Sequence, residues 1–493
     1  MFSLLEQKPA RNVYDALNWC NPKTSIEPWL LNFYVDREQE SPIEEIKEHL
    51  LSELEHPKLL LTGPRGSGKN TEMVKLAQDK ELKRRFYIRV FPGAGNIHGL
   101  IAKILQNVVD QAKDLKMADL DVVKEAGDFL LFRSSWNKSV EISAVPEKDV
   151  FNEKWVNNKR HEEKRAKVIK KDPSEVGTAT MSGWIKKITE EILKKKRKNV
   201  LLFITGLDKL NKDQAVELFK NKANDLNGVK CFIVFTFPIE LYFDPSITMI
   251  VRSYSDIYFF KNINRWRYNE PKLWNYDRLN DILTRRVSIT LFEPQVKTID
   301  LMIHFSGGVP YELLDLLRHC ALLSSRRLIH WIWYYKPFWY IWLLFKSHKH
   351  QKIRSDVFIS SIITRRQNIF RRTLTKDQFS LLESIYTKKI KFDIHNPDHK
   401  ELYDNNLVFV YGSERDIYFG INPILETIIV QRTLTDEEFD LLRSIYNDTN
   451  NSVISSAAFK KLYDKNLIID HRYNGEKKYI INPILEPLFV LVT

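Results

Sequence analysis

Cysteine is scarce: 493 residues carry three, Cys20, Cys231 and Cys320, far apart in the chain. No CxxC pair or Cys/His spacing occurs, so neither a disulfide framework nor a zinc knuckle is supported. Glycine (16) and proline (19) are too few for a collagen-like or low-complexity chain. No Ser/His/Asp or Cys/His triad and no metal cluster can be read from the pattern. The opening MFSLLEQKPARNVYD has no apolar signal-peptide core, from which a reducing, cytoplasmic setting is expected. What is present is ordinary core material: 43% hydrophobic and 28% charged residues. At this length about two to four domains are expected.

The net charge of +13 is concentrated. Lys154–Lys198 holds fifteen Lys/Arg against six acids; Arg318–Arg372 holds twelve against one, Asp356. Two readings stay open for the first stretch, a solvated helical face or an anion-binding surface. The candidate nucleic-acid contacts are Lys164, Arg165, Lys170 and Lys171 in the first stretch and Arg326, Arg327, Arg365 and Arg366 in the second.

The C-terminal part is a tandem duplication. RTLT at 372–375, SIY at 384–386, LYD-x-NL at 402–407 and INPILE at 421–426 all recur 60 residues on, with 23 of 55 aligned positions identical. Each copy reads as two helices and a hairpin. Thr375 or Thr435 caps the first helix, and Asn474-Gly475 signals the second hairpin's turn. That layout resembles a winged helix. Leu381/Leu441, Leu402/Leu462 and Ile424/Ile484 are expected in equivalent buried sites. Neither copy is basic overall, with seven Lys/Arg against nine acids in the first and eight against nine in the second. A packing or protein-interaction role therefore competes with DNA contact. Lys460, Lys461 and Arg472 in the second copy are the better nucleic-acid candidates.

The most informative segment is PKLLLTGPRGSGKNTEMVKLAQD. A short strand, Leu59–Leu61, leads into Gly63-Pro64-Arg65-Gly66-Ser67-Gly68-Lys69, and Thr71–Gln78 reads as a helix. This is strand, G-x-x-x-x-G-K loop and helix, the context a Walker A phosphate loop requires. Glycines let backbone N–H groups converge on phosphate oxygens, and the helix N-terminus favours an anion. Lys69 would reach the β/γ-phosphates. The pattern breaks at Asn70, where a magnesium-ligating Ser or Thr is required; Thr71 lies about 100° further round the helix. Gly63 to Thr71 form the candidate nucleotide-binding set. A second strand, Val200–Ile204, ends at Thr205 where a metal-holding acid is expected. The first acid beyond it is Asp208, the candidate catalytic residue. A third strand starts at Cys231, with Thr236 where a sensor residue could sit.

Together these parts resemble a bacterial P-loop ATPase of the STAND and origin-recognition (Cdc6-like AAA+) kind. The matching segments are NFYVDREQESPIEEIKEHL, GPRGSGKNTEM, LLFITGLDKL, FIVFTFPIELYF, SGGVPYELLDLL and the C-terminal winged helices ending in NPILE. The resemblance implies ATP or ADP as cofactor, nucleotide used as a conformational switch, and roles such as prokaryotic immunity, replication initiation or transcription control. Such proteins carry Ser or Thr where Asn70 stands, Asp where Thr205 stands, and a γ-phosphate-contacting Arg where Tyr311 stands. Losing all three implies a degenerate ATPase with crippled hydrolysis and doubtful Mg2+ binding. An amide ligand from Asn70, or approach of Asp208, is the route by which metal binding could survive.

Between SGG and the first repeat lies Leu328–Phe345, eighteen residues with nine aromatics, four of them Trp. His330, Lys336 and Pro337 interrupt it. Three readings stay open: a buried helical hairpin broken at Lys336-Pro337, an interfacial membrane anchor, or a surface for a protein or nucleic acid.

The expected architecture is an α/β P-loop NTPase domain over 1–250, a helical lid over 251–325, a basic aromatic insertion over 326–371, and two tandem winged-helix (α+β) domains over 372–431 and 432–493. The expected function is a regulatory or sensing protein in an antiviral-defence or nucleic-acid-associated complex, with a nucleic acid or protein partner and homo-oligomer formation open. The alternatives are an active DNA- or partner-remodelling ATPase, and a membrane-associated effector.

Overall fold

The computed structural model describes residues 9–20, 33–37, 41–52, 55–131, 177–245, 247–263, 273–334, 352–372, 374–387, 390–411, 418–446, 457–464, 468–473 and 476–481. The chain divides into two compact units. One comprises 41–63 and 69–260; the other comprises 1–40, 64–68 and 261–493, so the crest of the glycine loop groups with the second.

The first unit is built on five strands: β1 (Lys58–Thr62), β2 (Phe86–Pro92), β3 (Asn199–Thr205), β4 (Phe232–Thr236) and β5 (Asp256–Phe259). They form one parallel sheet in the order β2-β3-β4-β1-β5. The inner positions of its central strands, Leu59–Leu61, Val200–Ile204 and Phe232–Phe235, are apolar because both faces are covered. Alternate side chains serve opposite layers. Leu59, Leu61, Leu201, Phe203, Phe232 and Val234 pack with Ile46, Met73 and Leu76 on one face. Leu60, Leu202, Ile204, Ile233 and Phe235 pack with Leu100, Ile104, Val108, Ile185 and Ile188 on the other. The helix Lys69–Leu76 follows β1 directly, starting two residues before the expected Thr71. The sheet's fifth strand lies beyond residue 250, and neither β2 nor β5 was expected from the sequence.

A buried cation sits at the N-terminal end of β1. Lys58 Nζ, at the start of β1, donates to the carbonyls of Cys231 (2.6 Å) and His56 (2.9 Å). Burial pulls its ammonium down to about 8. The folded state therefore binds fewer protons than the unfolded chain between about pH 8 and the ordinary lysine value of 10.5. Below pH 8 the charged form costs stability in full, and that cost is relieved as pH rises through this window. Lys58→Met is expected to raise stability at pH 7 by about 1–3 kcal/mol. The advantage should shrink between pH 8 and 10, which thermal melts of the two proteins across that range will check.

In the second unit, the helices Val13–Trp19, Leu273–Thr284, Gln295–Phe305, Pro310–Tyr334 and Ser355–Arg372 share one core. The helix Pro310–Tyr334 carries the chain into the aromatic segment as far as Tyr334; the remainder of that segment to Phe345, with Lys336 and Pro337, lies outside the described residues. Among the described residues no helix is long and apolar enough to cross a membrane.

The repeats share their element order. The first runs Lys376–Tyr386, Pro397–Asp404, then the antiparallel pair Val408–Tyr411 and Tyr418–Ile421. The second runs Asp436–Tyr446, Ala457–Asp464, then Ile468–Tyr473 with Glu476–Ile481. The expected caps form. Thr375 and Gln378 bond reciprocally at 3.2 and 3.0 Å, and Thr435 and Glu438 do the same. Leu402 and Leu462 are both fully buried, as expected. Of the expected pair Leu381/Leu441, Leu441 is buried and Leu381 only half-buried; Leu382 and Leu442, one step round their helices, are the fully buried pair. Ile424 is buried; its counterpart Ile484 and the turn Asn474-Gly475 lie outside the described residues.

Candidate nucleotide site

The loop leaves the C-terminal end of β1, beside β4 and β5, where the strand order reverses. Ligands of open parallel sheets bind at such switch points. Gly63, Gly66 and Gly68 all have positive φ, at 146°, 76° and 103°, so glycine is needed for this path.

In the first unit, Lys69 is 5% exposed and folded back on the loop. Its Nζ donates to the Gly63 carbonyl at 2.8 Å and lies 3.2 Å from Asp208 Oδ2. Asp208 stands on the turn Leu207–Lys209, just past β3. Its other oxygen, Oδ1, is buried and has no hydrogen-bond partner among the described residues. Thr236 Oγ1 accepts from Leu207 N at 3.0 Å, so the β4 threonine props this turn from behind. Thr205 is 1% exposed, and its hydroxyl donates inward to Phe91 O at 3.4 Å. The strand end thus offers no acid at 205, and the acid three residues on reaches the loop lysine instead. Asn70 and Thr71 are half-buried in the first turn of the loop helix.

In the second unit, the loop crest is held from several directions. Arg37, 4% exposed, donates Nη1 to the Ser67 carbonyl and Nη2 to the Lys261 carbonyl, both at 2.7 Å. Ser67 Oγ donates to Pro64 O at 2.8 Å. Tyr311, at the start of the helix Pro310–Tyr334, donates its backbone N–H to Gly66 O at 3.2 Å. The backbone N–H of Arg65 donates to the hydroxyl of Tyr403 at 3.3 Å, and its guanidinium lies 3.1 Å from Asp404 Oδ1. Tyr403 and Asp404 close the second helix of the first repeat. That repeat also engages the SGG turn: Tyr411 Oη donates to Gly307 O at 2.7 Å.

Arg37, Tyr403 and Asp404 were not anticipated. Their partners are mostly backbone groups, which impose no residue type that a motif could display. Arg37 does fall within the NFYVDREQE segment.

Lys164, Arg165, Lys170 and Lys171 lie outside the described residues, as do the side chains of Arg326, Arg327, Arg366 and Arg472. Arg365 turns inward to Glu312 (3.0 Å) and Asp315, which takes its guanidinium out of the basic surface. Lys460 and Lys461 are exposed on the helix Ala457–Asp464. Among the described residues, no group of three or more His, Cys, Asp and Glu is placed to hold a metal.

No protein-family model matches the sequence, and no curated protein matches it. Among solved structures, Cdc6p from Pyrobaculum aerophilum aligns over 95% of this chain and 96% of its own, at 11% identity and TM-score 0.39. The Orc1 protein of Aeropyrum pernix, solved in complex with DNA, aligns over 95% and 97%, at 11% identity and TM-score 0.36. A RuvB of Thermotoga maritima aligns over 85% and 98%, at 12% identity and TM-score 0.34.

Proposed function

We propose that this chain is a P-loop protein of the AAA+ kind that binds ATP or ADP as a switch or structural ligand and hydrolyses it slowly or not at all. In this reading it is a regulatory or sensing subunit of a nucleic-acid-associated complex, and its two C-terminal repeats are tandem winged helices. The observation that carries the reading is Lys69, buried at the phosphate loop and held by Gly63 O and Asp208. A phosphate group arriving in the loop would exchange the carbonyl and carboxylate partners of that ammonium for its own oxygens.

The loop glycines and Lys69 suit a phosphate. The donor set for magnesium suits it poorly. Mg2+ asks for near-octahedral oxygen coordination, with protein carboxylates and hydroxyls filling fixed places. Here Asn70 replaces the hydroxyl and Thr205 the strand-end acid. Asp208, whose Oδ2 faces the loop lysine, keeps a second, buried oxygen with no hydrogen-bond partner among the described residues. Phosphoryl transfer is catalysed by positioning and charge neutralisation. Loss of those ligands, with Tyr311 in place of an arginine, removes most of both. Steady-state hydrolysis by the purified chain tests this. Turnover of about one per second, the low end for working kinases, that disappears in Lys69→Ala would overturn it.

The first repeat's grip on the crest supports a sensing role. The backbone N–H of Arg65 belongs to the set that a phosphate loop aims at its anion, and here Tyr403 occupies it. A neutral hydrogen bond nets about 0.5–1.5 kcal/mol. The Arg65–Asp404 pair is over a third exposed on the arginine side, so about 0–1 kcal/mol is its ceiling. The double variant Tyr403→Phe, Asp404→Ala is therefore expected to bind ADP about 3- to 10-fold more tightly. Titration calorimetry reads this directly; unchanged affinity would detach the repeat from nucleotide sensing.

A further inference from the structure

The N-terminal edge of the sheet, at the far end of the strands from Lys69, gathers cations from three separate segments. The helix Thr178–Lys196 ends in Lys194, Lys195 and Lys196, and Arg197 and Lys198 follow before β3. The short helix Lys80–Arg85 ends in Lys83, Arg84 and Arg85 before β2. These two ends touch: Lys198 Nζ donates to Lys83 O at 2.8 Å and lies 5.2 Å over the ring of Tyr87. Phe86 pairs with Asn199, so the two basic runs feed neighbouring strands side by side. Lys230 precedes β4, and its carbonyl accepts from Thr189 Oγ1 of the Thr178–Lys196 helix at 2.9 Å. With neighbouring strands about 4.8 Å apart, the three strand starts span about 10 Å.

Lys83, Arg84, Lys194, Lys195, Lys196, Arg197 and Lys230 are all exposed. Several acids near this edge pair with other cations: Asp79 and Glu81 with Lys47 at 3.2 and 3.3 Å, and Glu190 with Lys186 at 3.9 Å; Glu191 on the same helix and Glu55 near Lys230 are outnumbered by the exposed cations. Compensating a helix dipole needs one or two cations in the last turn, so five consecutive ones exceed that role. An interfacial membrane anchor would set several apolar side chains among the cations. In this stretch only Leu193 is an exposed large apolar residue.

We propose that this edge is a nucleic-acid interface that holds the phosphate backbone without reading sequence. It deepens the nucleic-acid part of the proposed function and rests on it. Its residues differ from those of the phosphate loop, so losing the interface leaves nucleotide binding intact.

The test uses the full chain, fluorescently labelled duplex and single-stranded oligonucleotides of arbitrary sequence, and salt between about 50 and 200 mM. The variant is Arg84→Glu, Lys195→Glu, Arg197→Gly. Arg197 has φ 56°, a left-handed conformation that glycine adopts freely, so that substitution removes charge without straining the fold. Expected are a tenfold or greater loss of affinity at the lowest salt, a salt slope shallower by about 3, and unchanged ADP binding. The pair Lys352→Gln, Arg354→Gln, on the other basic stretch, is expected to change affinity less than twofold. If the wild type binds and the triple variant keeps its affinity and slope, this interface is wrong while the broader reading stands. If the wild type binds neither oligonucleotide, the nucleic-acid reading fails with it. Loss of binding to phosphatidylserine vesicles with oligonucleotide binding retained also overturns the proposal.

Discussion

Lys69→Ala is expected to reduce ADP affinity between tenfold and about a hundredfold, and to destabilise the sheet unit even without nucleotide. The first effect follows from removing a charge-assisted contact to phosphate, worth about 1.5–3 kcal/mol. The second follows from burial. Asp208 is 12% exposed and already has one oxygen without a partner. Truncating Lys69 removes the cation that Asp208 Oδ2 faces, and breaking one side of a buried pair costs about 3–5 kcal/mol. The two effects separate in a cycle with Asp208→Ala. In the double variant the stranded charge is gone, so melting temperature should recover most of its loss, while ADP-dependent stabilisation should stay absent. Thermal melts with and without saturating ADP read both quantities. If Lys69→Ala keeps the full ADP-induced shift, the lysine is not a phosphate ligand, and the nucleotide reading loses its main support.

The sequence was most legible where burial is two-sided. Strands β1, β3 and β4 are the three inner strands, covered on both faces, and they appear as continuous apolar runs bounded by turns. The two strands it did not reveal, β2 and β5, are the sheet's edges. In β2 the run FYIRVFP contains Arg89 and is mostly half-buried; β5 is only four residues, starting at an Asp. Edge strands have one neighbour, so their side chains meet solvent and the apolar signal breaks up. The phosphate loop was legible for a different reason. Its chemistry fixes residue types at fixed spacing, and the three positive-φ glycines show the backbone demand behind the motif. Asp208 was legible as the first acid past an apolar strand, but its pairing with Lys69 was not, since the two lie 139 residues apart in the chain. The grip of Arg37 and Tyr403 on the crest was illegible because it runs through main-chain atoms. The duplication was legible from identity alone, and it located Leu402 and Leu462 correctly. Of the pair Leu381/Leu441 it located Leu441 in the core but not Leu381, because LL at 381–382 and 441–442 is degenerate until the helix face is known.

Gly63→Ala is expected to disrupt the first unit far more than Gly68→Ala, although both replace a loop glycine with a methyl group. At Gly63 an added Cβ would lie 2.1 Å from the Phe260 carbonyl oxygen and 3.1 Å from the Phe260 Cβ. The obstacle is backbone at the end of β5, which bonds back through Phe260 N to Thr62 O at 2.8 Å and cannot swing aside like a side-chain tip. Either β5 parts from β1 or the loop shifts, and both disturb a core in which Phe260 is fully buried. A cost of about 4 kcal/mol or more, at the exceptional end for one substitution, is expected. At Gly68 the same Cβ meets nothing within 4 Å, so the penalty reduces to placing alanine at φ 103°. That is about 1–3 kcal/mol of backbone strain. The functional order is expected to differ from the stability order. Gly68 adjoins Lys69 and lies in the stretch whose N–H groups would face phosphate, so Gly68→Ala should leave a folded protein with weakened ADP binding. Gly63→Ala should show a depressed or broadened melting transition before ligand is added. Circular-dichroism melts paired with ADP titration give both readings for each variant. Equal melting temperatures for the two would mean that β5 and the loop yield to a methyl group at little cost, and that the close approach at Gly63 does not set the loop's conformation.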